Sequence, residues 1–304
     1  MPPSPDTDRP HDVGRPDLAR LDPARATCLR GAIANAVLEG WRPGADAVGR
    51  LSELAEGIVG IDRFVEDAVG RALAADGAGP AGDGGDGAEA AAPVSVPESF
   101  TDTVYPGTSV LRNNFGIQNR AALAELEFET GTAQAFRIEA GLVELPDTFD
   151  ARHLDAIHAH LFGALYPWAG VHRRYDMALG HNAFYADQID RYLADAARLL
   201  HRRLPHGHRR RRGRQLDRLH FARLAAETYA YLNCAHPFRE GNGRTAKTLL
   251  QLAAAEVGYR LNFEIVSKAQ WDTASRLSAP EHGRYRPAAE RLYPVFMSIT
   301  APRG

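Results

Sequence analysis

The chain has 304 residues, 44% of them hydrophobic, which is enough to build a sizeable core in one large domain or two smaller ones. Its formal net charge of −2 argues against a general polyelectrolyte binder, and its two cysteines, Cys28 and Cys234, argue against a disulfide scaffold or a cysteine zinc site. No apolar run reaches the length of about 18 residues that a membrane span needs, and no secretion signal is recognisable, so we expect a cytoplasmic protein.

The first predicted helices form a small N-terminal unit. Residues 1–21 are rich in Pro and Asp and predict a disordered tail. A helix is expected to begin at Asp22-Pro23, because Asp is a good N-cap and Pro is tolerated at the first helical position. Gly40 is a suitable stop for it. Two further helical patterns, at 44–56 and 61–75, complete a three-helix unit over residues 22–75.

A linker and a larger helical domain are predicted to follow. Residues 76–98 are dominated by Gly, Ala and Pro and predict a flexible linker, which leaves residues 99–304 as the second domain. Around Gly180-His181-Asn182 short extended pieces predict a β-hairpin, and the fold class is therefore mainly α with one hairpin. The predicted helices of this domain cover about 118–140, 150–164, 186–204, 216–234, 244–257, 268–277 and 286–300.

The stretch HPFREGNGRTAK, residues 236–247, stands at a predicted junction between two helices. The preceding helix should end near His236-Pro237, because proline disfavours helix in the residue before it. A glycine-rich turn follows, and a new helix begins after it. The free backbone N–H groups at such a helix start attract anions.

The charges in this stretch predict a ligand. Arg244 and Lys247 oppose the helix dipole by about 0.3–1 kcal/mol each, a cost that a bound polyphosphate would reverse. Glu240 adds a carboxylate, which together with phosphate oxygens is a usual way to hold Mg²⁺. His236 is suited to take a proton near neutral pH. The alternative is a plain helix-turn-helix with a surface histidine.

The motif HPFREGNGRT resembles the signature of Fic-domain proteins. The segments YPGTSVLRN (105–113), LFGALYPWAG (161–170) and AFYA (183–186) also resemble parts of that family. The resemblance implies a mostly helical fold with a β-hairpin flap. It further implies the transfer of AMP from ATP, with Mg²⁺, to a Ser, Thr or Tyr hydroxyl of a target protein.

The resemblance also implies roles for single residues. His236 would be the base on the target hydroxyl, Glu240 the magnesium ligand, and Phe238 the anchor of the turn in the core. Lys247 stands where the family pattern has a second arginine; a lysine keeps the charge but loses the bidentate fork, so a donor other than ATP stays open. The phosphate cradle would be formed by Gly241, Asn242, Gly243 and Arg244, of which Asn242 and Arg244 are also counted as catalytic. The flap that binds the target would consist of Gly180, His181, Asn182, Ala183 and Phe184.

Two segments of the N-terminal unit resemble the inhibitory motif of Fic proteins, Ser/Thr-x-x-x-Glu-Gly/Asn. One is SELAEG, with Ser52 and Glu56, and the other is NAVLEG, with Asn35, Glu39 and Gly40. We favour the second, because AIANAVLEGW resembles the small VbhA-type antitoxins. Its glutamate also lies in the last turn of a helix, where the dipole disfavours a negative charge unless a cation offsets it.

The prediction is thus an autoinhibited protein adenylyltransferase of toxin–antitoxin type, and family precedent suggests a type II topoisomerase subunit as target. One alternative is a Fic transferase that uses UTP or CDP-choline. Another is a non-catalytic regulatory binding protein that docks through the basic stretch 201–218. The absence of interleaved aromatic residues argues against nucleic acid as its partner. His158 and His160 cannot share one helix face, so no metal site is expected there.

Overall fold

The computed structural model describes residues 18, 20–77, 97–179, 182–204, 216–281 and 283–303. The three helices of the N-terminal unit are α1 (Pro23–Leu38), α2 (Ala45–Glu56) and α3 (Ile61–Asp76). The Asp22 side chain caps α1 by accepting from the backbone N–H groups of Ala24 and Arg25, both at 3.0 Å. The predicted helices of this unit are present.

Seven helices and four short strands follow in the described part of the chain. The mainly helical fold with a hairpin is confirmed, and most predicted helix boundaries agree within two or three residues. The helices are α4 (Arg120–Glu139), α5 (Ala151–Phe162), α6 (Ile189–Arg203), α7 (Arg218–Ala235), α8 (Asn242–Glu256), α9 (Lys268–Leu277) and α10 (Tyr293–Ile299), and the strands are β1 (Met177–Leu179), β2 (Asn182–Phe184), β3 (Tyr259–Leu261) and β4 (Thr300–Pro302).

Helix α4 provides most of the contact between the N-terminal unit and the rest of the domain. It packs against α1, α2 and α3 and also against α5 and α8, while α1 contacts α8 and α9 directly. Its small residues, such as the fully buried Ala133, let these neighbours approach closely, while Phe136 fills the core. The N-terminal unit therefore shares one hydrophobic core with the larger domain.

Polar contacts reinforce the packing of the N-terminal unit on α4. The Glu129 carboxylate, 2% exposed, accepts from Arg50 of α2 at 2.7 Å and from Arg71 of α3 at 2.8 Å. We call these three residues the clasp. Beside it, Trp41 stacks on Phe128 with ring centroids 6.1 Å apart.

The strands form two antiparallel pairs. Strands β1 and β2 make the predicted hairpin, with Met177 opposite Phe184 and Ala178 opposite Ala183. The pairing of β3 with β4 was not predicted, because three-residue strands give too few residues for a periodic pattern.

Some predicted boundaries differ from the structure or lie outside its described part. Leu18 and Leu21, placed in the predicted tail, are buried in the core. The last helix begins only at Tyr293, after a short 3₁₀ turn at Ala289–Arg291. Residues 1–17, most of the linker (78–96), the flap residues Gly180 and His181, and residues 205–215 of the basic stretch lie outside the described residues. Within the described chain, no helix is long and apolar enough to cross a membrane.

Candidate active site

The site begins where α7 ends at His236. This residue takes the left-handed backbone conformation, with φ of 39°, and so turns the chain sharply out of the helix. Arg173 holds the turn: its Nε donates to the His236 carbonyl at 2.8 Å, and its backbone N–H donates to the Pro237 carbonyl at 2.8 Å. Arg173 is thus a positioning residue that our sequence reasoning did not single out.

The loop between α7 and α8, residues 236–241, is closed by Asn242, the first residue of α8. The Asn242 side chain accepts from the Phe238 N–H and donates to the Phe238 carbonyl, both at 2.8 Å. The structure therefore places Asn242 on the loop backbone, where it fixes the shape of the turn.

Phe238 and His158 anchor this loop in the core. Both are fully buried, and their rings stack with centroids 3.7 Å apart. His158 accepts at Nδ1 from the Gly170 N–H, so its Nε2 donates to the Glu240 carbonyl at 3.0 Å. Burial lowers the pKa of His158 to about 3, which keeps it in the neutral form that this pair of bonds requires. Its shared face with Leu154 and Leu161 is the sequence signal that could have identified it as a core residue.

Gly241 is the position where the loop has no room for a side chain. Its φ is +78°, and a Cβ there would lie closer than 3.0 Å to the Phe162 ring. We expect Gly241→Ala to lower the free energy of unfolding by about 2–4 kcal/mol through backbone strain and overpacking together.

Urea denaturation measures this loss. Gly258→Ala is the matched control, since Gly258 has φ of +81° but open space around its Cβ position. That variant should lose only the strain, about 1–2 kcal/mol. Equal losses in the two variants would contradict the proposed clash with Phe162.

Arg244 begins the cationic face of α8 and is almost completely buried. Its guanidinium lies between the rings of Phe128 and Phe162, 4.9 and 4.6 Å from their centroids, and Nη2 donates to Glu127. Its Nε and Nη1 are buried and have no hydrogen-bond partner among the described residues. Unmade bonds of buried charged donors are costly, so this arrangement suits an anionic ligand.

Lys247, one turn further along α8, is fully buried and pairs with Glu39 of the N-terminal unit. The ammonium also lies 5.1 Å from the centre of the Trp271 ring. Burial lowers the pKa of Lys247, and the Glu39 carboxylate counteracts that effect. Although burial opposes its ionisation, attraction by Lys247 holds the pKa of Glu39 below its usual value.

The Glu39 carboxylate also covers the start of α8. A Cβ on Gly243 would lie closer than 3.0 Å to Glu39 Oε1. One turn earlier on α1, the Asn35 Nδ2 donates to the Arg244 carbonyl at 3.3 Å and to Thr248 Oγ1 at 3.4 Å. We call the backbone N–H groups at the start of α8, together with Arg244 and Lys247, the anion site. The Glu39 carboxylate occupies this site in the structure.

The other candidate glutamate lies elsewhere. Glu56 ends α2, and Ser52 of the same motif donates to the Val48 carbonyl of its own helix at 3.0 Å. Among the ion pairs of the described residues, the partner of Lys247 is Glu39. Gly40, with φ of +112°, completes the turn after Glu39.

Two groups at the mouth of the site have acid–base capacity. Burial and the neighbouring Arg173 guanidinium lower the pKa of His236 to about 4, so the ring is neutral at pH 7 and can accept a proton. The Phe184 ring lies tilted against it, with ring centroids 4.3 Å apart, so the last residue of the flap strand β2 (Asn182–Phe184) lies beside the histidine.

Glu240 is the carboxylate available to a metal ion. Its Oε1 accepts from the Gly241 N–H at 3.0 Å, and its side chain is 48% exposed. Among the described residues, no group of three or more His, Cys, Asp or Glu side chains could hold a metal by itself. A metal ion at Glu240 would therefore need further oxygens, such as those of a nucleotide's phosphates.

The fold and this loop define the chain as a member of the Fic/DOC family. The family profile, Fic/DOC family, matches residues 148–254. The chain is 36% identical over 163 residues to the probable protein adenylyltransferase y4lH of Sinorhizobium fredii, covering 77% of that protein and 52% of this chain.

Two further relatives resemble it. The protein adenylyltransferase VbhT of Bartonella schoenbuchensis is 32% identical over 186 residues, which cover 59% of this chain; the chain spans about a third (35%) of the length of VbhT. The N-terminal Fic domain of a putative cell filamentation protein from Bartonella quintana, solved with bound ADP, superposes with a TM-score of 0.57 at 28% identity, covering 67% of this chain and 96% of that one.

Proposed function

We propose that this protein transfers AMP from Mg-ATP to a hydroxyl side chain of a target protein, and that its N-terminal unit holds it inactive. The observation that carries the proposal is the Glu39 carboxylate lying on Gly243 and Lys247, at the place that the phosphates of a nucleotide would need. The relatives named protein adenylyltransferases and the ADP-bound Fic domain support the same donor class.

The reaction follows from the position and charge of His236. The target hydroxyl attacks the α-phosphorus of ATP, and its proton passes to the neutral His236 ring. A new phosphorus–oxygen bond forms as the bond to the β-phosphate oxygen breaks, and pyrophosphate leaves. The flap strand β2, which contacts the histidine through Phe184, would hold the target segment as an added strand.

The anion site supplies the binding of the donor. Two groups are suited to the phosphates. One is Arg244, which has two buried donors that no described residue pairs, and the other is the set of N–H groups at the start of α8. Glu240 would hold Mg²⁺ together with phosphate oxygens; when bound, the ion would neutralise phosphate charge and orient the leaving group. Lys247 would meet the terminal phosphate once Glu39 has left.

Glu39 is proposed to inhibit by substitution for that phosphate. Its departure leaves the buried Lys247 ammonium without a counter-charge, and an unpaired buried charge is strongly unfavourable. A phosphate is the replacement that the site can accept. Asn35 would assist by attaching α1 to α8 beside the glutamate.

The donor is tested by incubating the protein and its Glu39→Gly variant with Mg-ATP, Mg-UTP or Mg-CDP-choline in a bacterial extract. We expect intact and peptide mass spectrometry to find proteins carrying AMP, with a type II topoisomerase subunit as the first target to examine. UTP and CDP-choline are included because Lys247 cannot bind a terminal phosphate in the bidentate manner of an arginine. Absence of any covalent product, together with salt-sensitive binding to nucleic acid, would favour the regulatory binding protein instead.

The clasp gives a prediction about the attachment of the inhibitory unit. In the Arg50→Ala/Arg71→Ala double variant, Glu129 loses both cationic partners, and docking of the N-terminal unit should weaken. Both arginines are partly exposed, so we expect a loss of about 1–2 kcal/mol and a target-labelling rate about five- to thirty-fold higher.

The labelling assay has a matched control in the same unit. Arg63 of α3 is 69% exposed and pairs with Glu66 and Asp67 of its own helix, so Arg63→Ala should label at the parental rate. A double variant that labels no faster than the Arg63 variant would rule out the clasp as a determinant of inhibition.

A further inference from the structure

Glu127 of α4 is a buried carboxylate that touches the site but lies far from the signature loop in sequence. Its side chain is 10% exposed. Oε1 accepts from Arg244 Nη2, and Oε2 accepts from the Tyr166 hydroxyl. The two oxygens therefore have different partners, one in the anion site and one in the core.

Tyr166 fixes the orientation of this carboxylate. The tyrosine is 1% exposed, and its ring stacks on Trp168 with centroids 4.6 Å apart. Burial is the main cause, and the charge of Glu127 the second, that raises the pKa of Tyr166 far above its usual value. The hydroxyl therefore stays protonated and donates a hydrogen bond. Glu127 can therefore direct its other oxygen at Arg244 in one geometry.

Arg244 stands between two carboxylates that compete for it. Its Nη2 is bonded to Glu127, whereas the same atom is 3.8 Å from Glu240 Oε1, beyond hydrogen-bond distance. Among the described residues, the hydrogen bond to the Glu240 carboxylate is the one from the Gly241 N–H, and the side chain stays half exposed. Glu240 thus has only a long ion-pair contact with Arg244 and, within the described part of the chain, no hydrogen bond from a cationic side chain.

We propose that Glu127 is a positioning residue that holds Arg244 away from Glu240 and so keeps the Glu240 carboxylate free for the metal ion of the bound nucleotide. This inference rests on the proposed function, in which Glu240 is the metal ligand. Without the negative charge at position 127, the guanidinium would turn to Glu240, the nearest remaining anion, and the two would neutralise each other.

Glu127→Gln tests the idea in the Glu39→Gly background, where α1 no longer covers the site with a carboxylate. Glutamine keeps an oxygen and nearly the same volume but loses the charge. ADP binding is measured by calorimetry across a series of Mg²⁺ concentrations and also without Mg²⁺. We expect the Mg²⁺ concentration for half-maximal enhancement of ADP binding to rise at least about tenfold, because removing the charge of one partner of a buried pair is a large perturbation. The affinity for ADP without Mg²⁺ should change less than about threefold.

Glu129→Gln is the matched control, since Glu129 is a buried carboxylate two residues along α4 whose partners are Arg50 and Arg71. It should leave the Mg²⁺ dependence of ADP binding unchanged. Tyr166→Phe, which removes only the orienting donor, should shift that dependence in the same direction as Glu127→Gln by a smaller factor.

Three results would overturn the inference, each in a different way. An unchanged Mg²⁺ dependence in Glu127→Gln would mean that Glu127 does not control Glu240. A parallel fall in ADP affinity with and without Mg²⁺ would mean that Glu127 only supports the fold around Arg244. If the Glu39→Gly parent binds no ADP at any Mg²⁺ concentration, the proposed function fails first and the role of Glu127 fails with it.

Discussion

His236→Ala, made in the Glu39→Gly background, is expected to reduce the transfer of AMP to the target at least about 10²- to 10⁴-fold, the range typical for loss of a general base. The expectation rests on the neutral ring, whose pKa burial and Arg173 lower to about 4, and on its position against the flap residue Phe184. The rate of target labelling with Mg-ATP measures the effect.

The fold must survive the substitution for this result to concern chemistry. His236 has φ of 39°, a conformation that costs alanine about 1–2 kcal/mol. His236→Asn is the second variant, because asparagine adopts left-handed conformations more readily and has no basic ring. Both variants should still bind Mg-ADP. Labelling by either variant at the parental rate would disprove the assignment of His236 as the base.

Glu39→Gly is expected to give the largest gain of activity, at least about thirtyfold in the rate of target or self-labelling. Glu39 is the counter-charge of the fully buried Lys247, and breaking such a pair costs several kcal/mol in the docked state. The free-energy cost expected here is smaller than that of a fully buried pair, because the Glu39 side chain is 31% exposed and solvent screens its charge. The substitution also uncovers Gly243 for the phosphates of the donor.

Glu56→Gly is the comparison that decides between the two candidate motifs. Glu56 lies at the end of α2, away from Lys247, so this variant should behave as the parent does. Activation by Glu56→Gly together with an inert Glu39→Gly would move the inhibitory site to the second helix. Glu39→Gln separates charge from shape, and partial activation is expected from it.

The local parts of the site could be predicted from the sequence. The end of α7 before Pro237, the turn, and the restart of the helix at Asn242 follow from nearest-neighbour effects of Pro and Gly. The unfavourable placement of Arg244 and Lys247 near the start of a helix predicted an anion, and the structure puts a carboxylate there.

The parts supplied by distant segments could not be predicted. Glu127 and Arg173 reach the site from α4 and from the segment before β1, and no spacing in the sequence relates them to the loop. Asn242 was assigned to the phosphates from its place in the motif, yet its side chain bonds both backbone groups of Phe238. Such assignments depend on side-chain directions that only the packed structure determines.

The proposed inhibition by Glu39, which pairs with Lys247 of the same chain, has a consequence for how activity would depend on protein concentration. If docking is favoured about a hundredfold, the apparent dissociation constant of the donor rises by about the same factor, because only the undocked fraction binds it. That fraction is set by an intramolecular equilibrium, so dilution or overproduction of the protein leaves it unchanged. An inhibitor on a separate chain would instead dissociate as the complex is diluted. The residual activity would then depend on the concentrations of the two chains and on their ratio.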